Sequence, residues 1–285
     1  MRNKIKLKRP AKFGVIKLSA LLIFLLVVSS WLFIFIGEDA NLLELFSNEN
    51  LQYTKEFFNG LAGIGEENPA FLSKESWLEA LKLSIETLQM SIMAIGFSVI
   101  IMILTVIPAA RNVANGTLTL SRKWYGKIIY GIIRGCYIFS RSVPELIWAM
   151  IIIFIFKPGV LPGAIALALH NFGILGKLCA EVIEDVDTRS IRSLASSGAG
   201  KAQMFIYGVI PTVLPQFITY ILYRWEVIIR TTIVVGFVGA GGLGQAFKLS
   251  MSWFHYSDIT LFLICYILLV VFTDSISEGI RRFIK

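Results

Sequence analysis

Three ionised groups, Arg224, Glu226 and Arg230, stand inside a run that is otherwise mostly apolar from Phe205 to Val235. Upstream, His170 and Asn171 interrupt a second apolar run, Val160–Ala180. A charge at the centre of a lipid-embedded helix costs about 2.5–3.5 kcal/mol on insertion scales. Such groups therefore face a protein interior or a water-filled path, where they pair with one another or meet a polar solute. Glu226 and Arg230 are four apart, share one helical face and predict an ion pair. Both a structural clamp and a role in solute passage fit that pair. His170 fits either a pathway lining or a hydrogen bond between helices, while Glu145 and Glu86, near span ends, read as interfacial.

Other patterns that could carry chemistry fail on their surroundings. Ala195–Ala202 ends in Gly200-Lys201 like a phosphate-binding loop, but Ala195 stands at the first glycine and Ala202 at the hydroxyl that would hold magnesium. Gly239-x-Gly241-x-x-Gly244 satisfies the dinucleotide fingerprint by letter, yet that fingerprint needs a water-soluble βαβ unit. In the extension of an apolar run, Gly239, Gly241, Gly242 and Gly244 instead predict a tight non-helical loop or a close helix contact at the outer membrane face. His170 and His255 are the only histidines, and Cys136, Cys179 and Cys265 are scattered. No metal site, disulfide framework or resident cofactor is expected. With no paired nucleophile and base either, the chain does not read as an enzyme.

The elements that must position these residues are helices in a membrane. Of 285 residues, 56% are hydrophobic and 16% charged, whereas soluble domains carry about 25% charged residues; the mean hydropathy is +0.72. The expected fold class is all-α, polytopic, with about six transmembrane helices. Residues 1–17 form a basic cytoplasmic leader with seven cations and no acid. Residues 18–36 form an uncleaved anchor, and 37–82 an extracytoplasmic segment with nine acids against three lysines. The core, 83–285, holds spans at Leu83–Ala110, Ser142–Phe156, Val160–Ala180, Phe205–Val235 and Ile259–Thr273. An amphipathic elbow, Ile128–Ser140, precedes Ser142 and keeps Arg134 at the interface. Lys157-Pro158-Gly159 is a turn. The alternation of basic and acidic segments follows the positive-inside bias and places both termini and loop 186–204 in the cytoplasm. The net charge of +8 is thus topology, and no nucleic acid partner is implied.

Loop 186–204 supplies the most specific signal. A short helix using Ile191, Leu194 and Ala195 turns at Gly198 into a second one with Met204 and Phe205, offering an apolar knob to a groove on a soluble partner. Glu181, Glu184, Asp185 and Asp187 precede it, either as pairing groups for that partner or as a solvated charge run. Aligned on Gly198, the chain reads Arg192-Ser193-Leu194-x3-Gly198-x9-Gly208-Val209-Ile210-Pro211. This resembles the Glu-Ala-Ala-x3-Gly-x9-Ile-x-Leu-Pro motif of ABC importer permeases, with Arg192 in place of the leading glutamate and Gly208 departing from the pattern. Arg141–Leu146, Ala168–Lys177, Leu214–Phe217, Tyr223–Glu226 and Val238–Gln245 look like the phosphonate ABC-transporter permease family, over about residues 75–280.

That resemblance implies a type I importer fold and a multi-pass subunit of a bacterial inner membrane, moving its cargo by alternating access. It implies a second, identical permease copy, two copies of a cytoplasmic ABC ATPase that binds the ATP, and an extracytoplasmic solute-binding protein. Leu194, Ala195, Gly198, Lys201 and Pro211 would couple to the ATPase; His170, Asn171, Arg224, Glu226 and Arg230 would line the pathway. The implied cargo is phosphonate, phosphite or a related phosphorus oxyanion, with another small solute, an amino acid or quaternary amine, as the alternative.

Overall fold

The computed structural model describes residues 14–37, 44, 46–118 and 124–284. Residues 1–13, with six of the leader's cations, and Arg122 and Lys123 lie outside them. The chain divides into two units, residues 1–58 and 59–285. In the first, helix α1 spans Val15–Leu32 and continues as a wider turn through Gly37. Its side chains are apolar on every side, as lipid requires, and the 22-residue stretch Val15–Ile36 is long enough to cross a bilayer. Helix α2, Asn48–Leu61, is amphipathic.

The second unit begins with α3, Lys74–Val106, started by the Ser73 side chain accepting from the Ser76 N–H. A short α4, Arg111–Ala114, follows. Helices α5, Gly126–Ser142, and α6, Glu145–Phe156, meet at a 92° bend. Pro144 causes it, because its ring pushes Val143 out of helical geometry (φ −88°, ψ 120°) and it has no N–H to donate. Next come α7, Val160–Glu184, α8, Thr188–Ser196, and the single-turn α9, Lys201–Gln203. The last three are α10, Ile210–Val235, α11, Gly242–Ser252, and α12, Tyr256–Ile284.

No strand occurs among the described residues. Five helical stretches are long and apolar enough to cross a membrane, or six if α5 and α6 together form one broken span. The all-α, multi-pass expectation is met, with one correction. The third span expected at Ser142–Phe156 is a helix of only twelve residues, about 18 Å at 1.5 Å per residue, too short to cross alone. The elbow before it is itself a helix, α5, and only the bent pair together is long enough for a span. The final helix also runs eleven residues past the expected Thr273, because Asp274 and Arg281 find partners on α10.

Helix α7 lies at the centre of the unit, against α3, α5, α6 and α10. Its buried positions are mostly small: Gly163, Ala164, Ala166, Ala168, Gly173, Gly176, Cys179 and Ala180. Small side chains let helix backbones approach closely, which drives association where lipid is as apolar as the protein.

Candidate functional site

Loop 186–204 folds into a rigid corner. Asp187 caps α8 by accepting from the Arg189 N–H at 2.9 Å. At its other end the Ala199 N–H reaches the Leu194 carbonyl and the Gly198 N–H the Ala195 carbonyl, the paired bonds of a Schellman cap. That cap needs a left-handed residue at Gly198, whose φ is +84°. The Gln203 side chain then accepts from the Gly200 N–H at 2.8 Å and starts α9.

The apolar knob expected here is turned around. Ile191 is buried, and Leu194, Ala195, Ala199, Met204 and Phe205 pack into the chain's own core with Val106, Ala109, Cys179 and Ile183. Gly208 explains its departure from the motif, since a Cβ there would stand 3.1 Å from Leu194 Cδ1. The exposed face includes Arg189, Arg192, Ser193, Ser196, Gly198, Lys201, Gln203, Ile206, Tyr207 and Pro211. Apolar burial won because the helix needed its hydrophobic stripe to attach to the bundle. Of the five expected coupling residues, Gly198, Lys201 and Pro211 are therefore exposed, and Leu194 and Ala195 are half-buried anchors.

The acids before the loop divide likewise. Glu184 lies 2.6 Å from the Arg134 guanidinium and accepts from the Arg111 N–H at 2.6 Å. Arg134 also donates to the Ala109 carbonyl at 2.9 Å, approaches Glu181 at 3.9 Å and stands over the Tyr130 ring. One arginine from the middle of α5 thus ties the residues just after α3 to the end of α7, where α8 begins, whereas Asp185 and Asp187 remain exposed. Arg134→Gln should strip Glu184 of its charge partner and lower stability by about 3 kcal/mol, the scale for breaking a sheltered pair from one side. Thermal melting in detergent checks this, and an unchanged midpoint would count against the tie.

The polar residues of the spans do not form one cluster. Asn171, almost fully buried, accepts from two nitrogens of Arg224 and donates to the Leu167 carbonyl, so α7 and α10 are joined by that pair. His170 Nδ1 lies 2.9 Å from the Val143 carbonyl and its Nε2 3.4 Å from Glu145. It holds the residue just before the Pro144 bend, the interhelical alternative for this histidine. The expected Glu226–Arg230 pair does not form. Glu226 instead lies 2.7 Å from Arg281, with angles outside hydrogen-bond geometry, and Arg230 bonds Asp274 at 2.8 Å. Helix α12 presents both partners seven positions apart, and cross-pairing leaves none of the four charges alone in an apolar setting.

The two cross-pairs differ in exposure. Glu226 and Arg281 are largely buried, whereas the Arg230 side chain is 48% exposed and that of Asp274 39%. Arg230 continues an exposed row on α10 comprising Thr212, Gln216, Thr219 and Tyr223, with spacings of four, three, four and seven that keep it on one face. Sequence reasoning missed Asp274 and Arg281. The signal was available: Asp274, Ser277 and Arg281 recur at three and four, a polar stripe in an otherwise apolar helix.

The glycines break the helical path and also bring helices into close approach. Gly239, Gly241 and Gly242 have positive φ and break the path between α10 and α11. The Gly239 carbonyl accepts from the Gly159 N–H, and Thr87 on α3 accepts from the Leu243 N–H at 2.9 Å. Gly244 lies so close to the Ile233 carbonyl that a Cβ would overlap it. Thr231–Val235 is helical rather than a strand, which removes the setting a dinucleotide would need. Helix α11 itself was not foreseen.

Two charged cross-helix pairs and an exposed polar row inside a span suit a membrane transport component, and the relatives of this chain are transport permeases rather than enzymes. Residues 116–285 match the family described as binding-protein-dependent transport system inner membrane component, and the chain belongs to it, among the phosphonate-type ABC permeases. It is 35% identical over 232 residues, 80% of each chain, to the phosphite transport system permease protein PtxC of Stutzerimonas stutzeri. It is 31% identical over 201 residues to the phosphate-import permease protein PhnE of Mycolicibacterium smegmatis, covering 70% of this chain and 36% of that one. In fold it is similar to a chain of the MetNI methionine ABC transporter in an inward-facing conformation (TM-score 0.62, 17% identity, 75% of this chain and 99% of that one). It is also similar to a chain of an amino acid ABC transporter (TM-score 0.57, 16% identity, 74% and 98%). An ABC importer permease works with an ATPase and a substrate-binding protein.

Proposed function

We propose that this chain is the permease of an ATP-driven importer for phosphite, phosphonate or a related phosphorus oxyanion, and that two copies meet across the polar row of α10. That row carries the reading. Thr212, Gln216, Thr219, Tyr223 and Arg230 are exposed on a helix built to cross lipid, where polar side chains belong against protein or water. A second copy laid on the same face would enclose them in a water-accessible path. Both termini and the α8–α9 corner then face the cytoplasm of a bacterial inner membrane. Two ATPases bind the ATP, the chain itself holds no cofactor, and the binding protein delivers cargo from outside. ATP and cargo bind the inward- and outward-facing states unequally, and that difference shifts the balance between them. The relatives named for phosphite and phosphate support the cargo class.

The experiment combines uptake with cross-linking. A strain carrying the complete system should accumulate labelled phosphite, and a strain lacking this chain should not. Uptake of an amino acid or quaternary amine with no phosphite accumulation would replace the cargo. Thr219→Cys should form a disulfide-linked dimer under mild oxidation in membranes, while a cysteine at Leu268, on the lipid-exposed side of α12, should not. Equal cross-linking at both positions would remove the assigned interface.

A further inference from the structure

We infer that Arg230 is an exchangeable oxyanion site whose resident counter-ion is Asp274. This rests on the pathway reading above and names the group within it that meets the cargo. Of the four charges between α10 and α12, only this pair is open to the exposed face, the Glu226–Arg281 pair being largely buried beside it. Arg230 gives Asp274 a single hydrogen bond, from Nη2 to Oδ2 at 2.8 Å. A guanidinium carries five N–H donors in a planar fork. No other hydrogen bond from Arg230 occurs among the described residues, so donors remain for a second anion. Phosphorus oxyanions present the oxygens that such a fork binds two at a time.

Asp274 turns only one of its two oxygens to Arg230. Its Oδ1 is buried and has no hydrogen-bond partner among the described residues, and buried Ser277 follows one turn later in the same state. Only the Oδ2 edge faces the arginine. A carboxylate held this way keeps the guanidinium charged and aimed along the polar row while no cargo is present. It also competes with the cargo, so an arriving anion shares Arg230 and leaves again without being trapped. Asp274 is therefore a positioning residue, and Arg230 the group that touches the passing solute.

The test is arginine footprinting with phenylglyoxal on the permease–ATPase complex in nanodiscs, read peptide by peptide by mass spectrometry. In the unmodified complex, added phosphite should slow labelling of Arg230 and leave Arg281 unchanged, and choline chloride should slow neither. In Asp274→Asn, which keeps a hydrogen-bond acceptor and loses the charge, the half-protecting phosphite concentration should fall about fivefold as one competing charge disappears. Absence of phosphite protection in the unmodified complex would overturn the proposal without any variant. So would an unchanged half-protecting concentration in Asp274→Asn. Arg230 of the variant being unreactive in nanodiscs without phosphite, yet reactive in detergent, would assign the anion to a lipid phosphate and likewise overturn it. Failure of whole cells to take up phosphite would instead defeat the cargo reading, and the footprint would still report on the site.

Discussion

Gly244→Ala should prevent the folded permease from accumulating in the membrane. The new methyl would overlap the Ile233 carbonyl on α10 and lie 2.9 Å from the Ile233 Cα and carbonyl carbon, all backbone atoms. No side chain can turn aside, so α11 would have to lift off α10. Gly236 approaches α11 as closely from the other side, its own Cβ position lying 2.7 Å from Gly244 Cα. Overpacking a well-filled site costs about 1–3 kcal/mol when side chains can yield, and here the cost should lie at or above that range. Gly241→Ala makes the comparison, because its methyl would meet Val160 at an ordinary 3.5 Å and only the φ of +90° is unfavourable. Membrane abundance and melting temperature should rank wild type, Gly241→Ala and Gly244→Ala in falling order. A Gly244→Ala protein melting with the wild type would refute the close approach.

Gly198→Val should have the opposite signature, with near-normal insertion and transport lost. Nothing lies within 4 Å of a Cβ at this position, so the side chain has room. The penalty is in the backbone, about 1–2 kcal/mol for an L-residue held left-handed and more for a β-branched one. The Schellman cap would open and swing Ser197, Ala199 and Lys201 away from the face we propose for ATPase docking. Asparagine tolerates this conformation better, so Gly198→Asn should recover a large part of the uptake. Co-purification of the ATPase, uptake and membrane abundance measured together decide it. Normal ATPase association in Gly198→Val would count against docking at this corner. Equal failure of the two variants would place the defect in the surface rather than in the cap.

The helices were legible because lipid demands long apolar runs, and the runs from Val160 and to Val235 meet that demand by composition alone. The Lys157-Pro158-Gly159 turn was legible as a break for local steric reasons, whereas the break at Pro144 was read through, the expected span starting at Ser142. Side-chain pairing was not legible. Glu226 and Arg230 satisfy the local rule for an ion pair, and that rule is blind to a neighbouring helix offering Asp274 and Arg281. Arg134 showed the same limit from the other direction, as its partners Glu184 and Ala109 lie 50 and 25 positions away. The inward turn of Leu194 and Ala195 needed the third dimension too, since an amphipathic helix fixes which residues share a face and leaves open what that face meets. Helix α11 was hidden because Gly242 and Gly244 in its first turn, following Gly239 and Gly241, read as loop.

The buried stripe of α8 has a mechanical consequence. Ile191 and the half-buried Leu194 of α8, with Met204 beyond α9, pack among side chains from α3 and α7, and dense packing resists compression. A shove on the exposed serines cannot be absorbed as local give. It would pass instead to α3 and α7, the long helices against which the corner packs.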